Sequence, residues 1–73
     1  DCMKTGLDLK SIAQAGGSLV VDAIKYTALD LKGVASALNK GATLTIKNAD
    51  KFTALDCKGI AAAAQGQVIF DFS

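Results

Sequence analysis

The sequence predicts an α/β fold: a short right-handed repeat of three helix-strand units, forming a small parallel sheet of order 1-2-3 with the helices on one face. Three observations carry that prediction. One segment is written three times, as Lys4-Thr-Gly-Leu-Asp-Leu-Lys-Ser11, Tyr26-Thr-Ala-Leu-Asp-Leu-Lys-Gly33 and Phe52-Thr-Ala-Leu-Asp-Cys-Lys-Gly59, and such self-similarity marks a repeat architecture. Each copy opens with a helix-start signal and continues with apolar residues at helical spacing. After each helix come glycine and a short β-rich run. The chain therefore reads as a single domain, residues 1–73, with units at 5–26, 27–52 and 53–73.

Residues 1–4 form a lead-in. The pairs Thr5 and Asp8, Thr27 and Asp30, and Thr53 and Asp56 then mark the helix starts. In each, the Thr hydroxyl caps an amide of the first turn, and the Asp three residues on is the acidic partner of a capping box. The same Asp sits against the positive end of the helix dipole. Tyr26 and Phe52 precede their caps and fall opposite Leu31 and Cys57, the geometry of a hydrophobic staple. Lys4 occupies that place in the first unit, so its helix is expected to fray more. In the second unit Ala28, Leu31, Ala35 and Leu38 recur at three- and four-residue intervals with Val34 alongside, one apolar stripe of a surface helix. Gly41 is expected to supply a left-handed stop, and Gly16-Gly17 and Gly66 to end the other helices in the same way.

The strands are read at Ser18-Leu-Val-Val-Asp22, Thr43-Leu-Thr-Ile-Lys47 and Val68-Ile-Phe-Asp71. Their alternation places Leu19, Val21, Leu44, Ile46, Val68, Phe70 and Phe72 on the buried face. Val20, Asp22, Thr43, Thr45, Lys47, Gln67, Ile69 and Asp71 fall on the other. Connections too long for hairpins imply parallel strands with crossover helices on one side. Aligned on the strands, Asp22, Lys47 and Asp71 share a row. The order 1-2-3 thus sets a cation between two anions, which avoids unfavourable like charges side by side.

A chain of 73 residues buries only about 60% of its unfolded surface, and a core of that size supplies no more than ~3–5 kcal/mol. Self-association, a disulfide or tight helix packing would add to it. All 8 cations are Lys and all 7 anions are Asp, with no His. A net charge of +1 gives no basic patch and there are no Arg side chains to read bases, so nucleic-acid binding is not expected. No apolar run approaches the length of a membrane span. The chain begins Asp1-Cys2 without an initiator Met, as in a processed mature form or an excised domain.

The two cysteines, Cys2 and Cys57, allow one bridge. Cys57 stands where the other units carry Leu9 and Leu31, so the plainer reading is a buried thiol acting as a small hydrophobe. If the units stack in order, the two positions lie about 10 Å apart, beyond the ~7 Å span of a disulfide, unless the N-terminal arm folds across. A bridge would place the protein in a secreted or periplasmic compartment.

Catalytic and cofactor chemistry find little support. Zinc needs His or Cys clusters, and a Ser or Cys nucleophile needs a neighbouring base. Cys57 in a first helical turn has the place of a reactive thiolate, but its equivalence to Leu speaks for packing. The repeated Asp residues are read as caps and not as calcium ligands, because a Lys stands beside each and capping also accounts for the Thr. Anion binding at the three capped helix starts is opposed by those same Asp side chains. Glycines follow the helices, so they do not form phosphate loops.

The run Gly33-Val-Ala-Ser-Ala-Leu-Asn-Lys-Gly-Ala-Thr-Leu-Thr-Ile-Lys-Asn-Ala49 resembles one unit of the longer leucine-rich repeats, in which a helix, a short loop and a Leu-x-Ile-x-Asn-like strand follow one another. That resemblance implies a curved α/β solenoid whose strand face binds other proteins.

The expected function is accordingly a non-enzymatic interaction or structural module without cofactor. It would self-associate or bind a protein through its sheet edge or its open face, where Val20, Thr45 and Ile69 make a semi-apolar line. The alternatives are a small secreted or cell-surface effector or inhibitor held by a Cys2 to Cys57 bridge, and a designed or excised fragment of a longer repeat array.

Overall fold

The structure is a computed structural model and describes residues 5–72. Helix α1 (Gly6–Gln14), strand β1 (Leu19–Asp22), helix α2 (Ala28–Ala37), strand β2 (Thr43–Lys47), helix α3 (Ala54–Ala63) and strand β3 (Gln67–Phe70) alternate along the chain. A single 3-10 turn, Ala49–Lys51, separates β2 from α3. The strands form one parallel sheet of order β1-β2-β3, so the expected topology holds. Register is continuous: Val20 pairs with Thr45 and Thr45 with Ile69, while Val21 pairs with Ile46 and Ile46 with Phe70. Asp22 pairs with Lys47, and Asp71 follows on the far side, its amide bonded to the Ile46 carbonyl at 2.9 Å.

The core lies between the helices and the inner face of the sheet. Leu31, Val34, Leu38, Leu44, Ile46 and Ile60 are its largest fully buried side chains, each contributing about 1.5–3 kcal/mol of hydrophobic burial. Five of the six belong to the middle unit, because that unit has a neighbour on both sides. No polar or charged side chain is buried among the described residues, so no burial energy is lost to desolvation there.

All three helices begin at a Thr in extended conformation. Their ends differ, contrary to the expectation of a common glycine stop. At α1 the Gly16 amide bonds to the Ala13 carbonyl and the Gly17 amide to that of Ile12, at 3.0 and 3.1 Å, with Gly16 at φ 101°. These are the two bonds of a Schellman motif. Helices α2 and α3 end instead by turning extended at Leu38 and Ala64. Gly41 does have φ 87°, but it lies in the loop three residues past the Leu38 cap. Gly66 is not left-handed and is needed for space: a Cβ there would fall 2.5 Å from the Ala42 carbonyl oxygen and 2.7 Å from that of Asn39.

Two further expectations are corrected. Phe72 does not join the buried face; it is 59% exposed and stacks on Phe70 with ring centroids 6.2 Å apart. Val68 and Phe70 are only half-buried, because β3 is an edge strand of the sheet that the described residues form. Lys4, expected to weaken the first helix start, lies outside the described residues.

Candidate functional site

The capping residues are where local chemistry is densest. The Asp8 amide donates to Thr5 Oγ1 at 3.1 Å and the Thr5 amide to Asp8 Oδ2 at 3.3 Å. The Asp30 amide likewise donates to Thr27 Oγ1 at 3.1 Å, with a return bond from the Thr27 amide to Asp30 Oδ2 at 3.4 Å. In the third unit only one half forms: the Asp56 amide donates to Thr53 Oγ1 at 3.2 Å and Asp56 makes no return bond. These carboxylates are occupied with backbone amides in two units of three, and each is exposed. Among the described residues no three His, Cys, Asp or Glu side chains gather as a metal site would require.

Between the sequence units a second polar link forms. The Asp22 carboxylate at the end of β1 accepts from the Ile24 amide and from Asn48 Nδ2, both at 2.9 Å and both on Oδ1. Asn48 can reach it because its backbone is left-handed, φ 56°, a conformation that Asn tolerates. The Ile24 amide first, then the Asn48 amide group, with Lys25 and Lys47 nearby, hold the Asp22 carboxyl below its ordinary value of 3.8. This link ties the turn after β1 to the turn after β2 and leaves no reactive group free.

Cys57, in the first turn of α3, is buried and its thiol is free. Burial, and then the charge of Asp56, push the thiol above its ordinary value of 9.0, so at neutral pH it is protonated and a poor nucleophile. Its proposed bridge partner, Cys2, lies outside the described residues.

The face of the sheet away from the helices carries Val20, Thr45 and Ile69 in one hydrogen-bonded register. Val20 is 69% and Ile69 52% exposed, and Thr45 is half-buried. No element of the described chain covers this row. The opposite surface holds an apolar line that the repeat pattern did not single out. Leu7, Leu29 and Leu55, the leucines of the three Thr-x-Leu-Asp segments, are 75%, 80% and 78% exposed. A shallow groove of about 250 Å³ between α2 and α3 is lined by Ala28, Leu29 and Lys32 on one wall and Leu55, Asp56, Gly59 and Ile60 on the other. The signal for these leucines was present in the sequence: a Leu at the second helical position falls off the Leu31, Ala35, Leu38 stripe, so packing within the unit does not account for it.

The chain matches no protein-family model, no curated protein and no solved structure. Among the described residues, no helix is long and apolar enough to cross a membrane.

Proposed function

We propose that the protein is a non-enzymatic interaction module of solenoid type, which works by packing its open sheet surface against protein, its own copies included. The observation that carries this reading is the uncovered row Val20, Thr45 and Ile69 on a wholly parallel sheet. Parallel sheets are found almost only with both faces covered, and this one has helices on a single face. The resemblance to leucine-rich repeats, whose strand face binds proteins, points the same way. Against a catalytic reading stand the absence of His and the protonated state of the Cys57 thiol.

The test is the solution mass by light scattering from micromolar to millimolar concentration, with Thr45→Lys as the probe of the face. Thr45 sits on the central strand, so a lysine there places a charge in the middle of any face-on contact without touching the sheet edges. Association through the face is expected to weaken by about tenfold or more, the equivalent of a 1.4 kcal/mol penalty. A wild-type protein that stays at 7.4 kDa throughout would refute self-association through this face.

A further inference from the structure

Equivalent helix positions in the three sequence units are buried unequally, and the inequality has a direction. Ile12, Val34 and Ile60 occupy one such position: Val34 and Ile60 are each 1% exposed, while Ile12 is 40% exposed. Ala13, Ala35 and Ala61 occupy the next: Ala13 and Ala35 are 0% exposed, while Ala61 is exposed. The first position therefore faces the preceding unit and the second faces the following one. Among the described residues no unit lies before that of Ile12 and none after that of Ala61. The groove between α2 and α3 has the same polarity, with Ala28 and Lys32 of the earlier helix facing Asp56 and Ile60 of the later one.

We infer that the α3 and β3 end of the protein is a docking surface for the α1 and β1 end of a second copy, which adds as though it were a fourth unit. The proposal rests on the reading that the protein works by association, and it names a different surface and the partner. The internal packing of α2 on α3 is the template. Ala54, Lys58 and Ala61 of one copy repeat the wall formed by Ala28, Lys32 and Ala35. Asp8, Ser11 and Ile12 of the next copy repeat the wall formed by Asp30, Gly33 and Val34, or by Asp56, Gly59 and Ile60. Lys58 then faces Asp8 of the second copy as Lys32 and Asp56 stand on opposite walls of the internal groove, so the two ends carry opposite charges at matching places.

The sheet agrees with the helices at this end. Among the described residues the outer edges of β1 and β3 are both unpaired, and an unpaired edge is a template for another strand. Half-buried Val68 and Phe70 stand where β2 has fully buried Leu44 and Ile46. Continuing the observed register places Ile69 beside Val20 of the next copy and Asp71 beside Asp22. The last pair is the one unfavourable element, since like charges opposite one another destabilise a sheet. That pair subtracts from the contact, and added salt screens it. Because its two surfaces differ, it is heterologous and grows without closing at a dimer.

The experiment compares wild type, Thr45→Lys, and Ile12→Arg and Ala61→Arg each in the Thr45→Lys background by light scattering over a concentration series, with circular dichroism confirming that each variant is folded. Ile12 and Ala61 are both exposed in the single copy, so arginine at either is compatible with its fold. The wild-type mass is expected to climb past the dimer with concentration; in the Thr45→Lys background, which removes the face-on contact, the climb is expected to persist and either arginine to abolish it. A one-to-one mixture of the two arginine variants in that background retains one intact surface of each kind and is expected to form a dimer of twice the monomer mass and nothing larger. If Thr45→Lys alone dissociates, the open-face reading stands by itself; arginine variants that associate in that background as Thr45→Lys alone does would overturn end-on addition. A mixture that stays monomeric would overturn it also, since the contact would not be heterologous. A wild type that remains monomeric throughout would overturn end-on addition and self-association through the open face, and would leave the open face to a different protein partner.

Discussion

Replacing Gly66 with alanine tests how closely the third unit is fitted against the second. A Cβ at this position would lie 2.5 Å from the Ala42 carbonyl oxygen and 2.7 Å from the Asn39 carbonyl oxygen. Both are main-chain atoms, so neither can swing aside as the end of a side chain could. The Ala42 carbonyl is also the acceptor for the Gln67 amide at 3.0 Å, the first rung between β2 and β3. Relieving the clash must therefore stretch that rung or move the loop, a displacement of the kind that costs about 1–3 kcal/mol in an overpacked site. Gly33, inside α2, provides the control. A Cβ there meets nothing within 4 Å, and alanine is favoured over glycine in a helix by about 0.5–1 kcal/mol. The two glycine-to-alanine changes should thus have opposite signs. Thermal unfolding reads them directly, because 1 kcal/mol moves the midpoint of a domain this size by about 4–8 °C. Gly66→Ala is expected to melt below wild type and Gly33→Ala above it. If Gly66→Ala melted at or above wild type, β3 would not enter the sheet beside Ala42, and the packing of the third unit would be wrong.

Three further outcomes follow from the polar contacts. Thr27→Ala and Thr53→Ala should each cost about 1 kcal/mol, the usual loss for a Thr cap; Asp30→Ala should destabilise more than Asp56→Ala in denaturant unfolding, because Asp56 lacks the return bond, and equal losses would refute that distinction. The folded Asp22 carboxyl is held below 3.8, so the stability it adds is present above that value and lost as the pH falls through its folded midpoint. A carbon-detected NMR titration should find the midpoint raised toward 3.8 in Asn48→Gly, which keeps the left-handed backbone but removes the donor; an unmoved midpoint would show that Asn48 does not hold the carboxylate. The Cys57 thiol is raised above 9.0, so its contribution is complete below that pH and declines above it, as the unfolded thiol ionises first. In a Cys2→Ser variant, alkylation at pH 8 should be slow in the native protein and fast in denaturant, whereas rapid native labelling would contradict burial of the thiol.

The order of elements and the strand register were legible in the sequence because both depend on local patterns. The Thr-to-Asp spacing marks helix starts, and alternation in Thr43–Lys47 sets the faces of β2. The row Asp22, Lys47 and Asp71 followed from aligning the strands alone. What the sequence left unread depends on neighbours. Nothing local in Gly66 distinguishes a left-handed glycine from one that makes room for another segment's carbonyls. Phe72 continues the alternation of β3, yet it is exposed because it falls past the end of the strand, where no other element of the described chain covers it. The 3-10 turn at Ala49–Lys51 has no counterpart in the first unit, whose turn after the strand is shorter. Ile12 and Ala61 look identical in kind to Val34 and Ala35, and only their place at the two ends of the stack separates them. The sheet-face row Val20, Thr45 and Ile69 could be placed from alternation, whereas the exposed line Leu7, Leu29 and Leu55 required asking which repeated residues the core does not use.

Every surface discussed above follows from the three strands lying parallel in one register, and nuclear Overhauser contacts across the sheet measure that directly. The account predicts contacts linking Val21 to Ile46 and Ile46 to Phe70 on the helix side, and Val20 to Thr45 and Thr45 to Ile69 on the other. A reversed pattern, or one shifted by a residue so that Thr45 and Val21 shared a face, would contradict it.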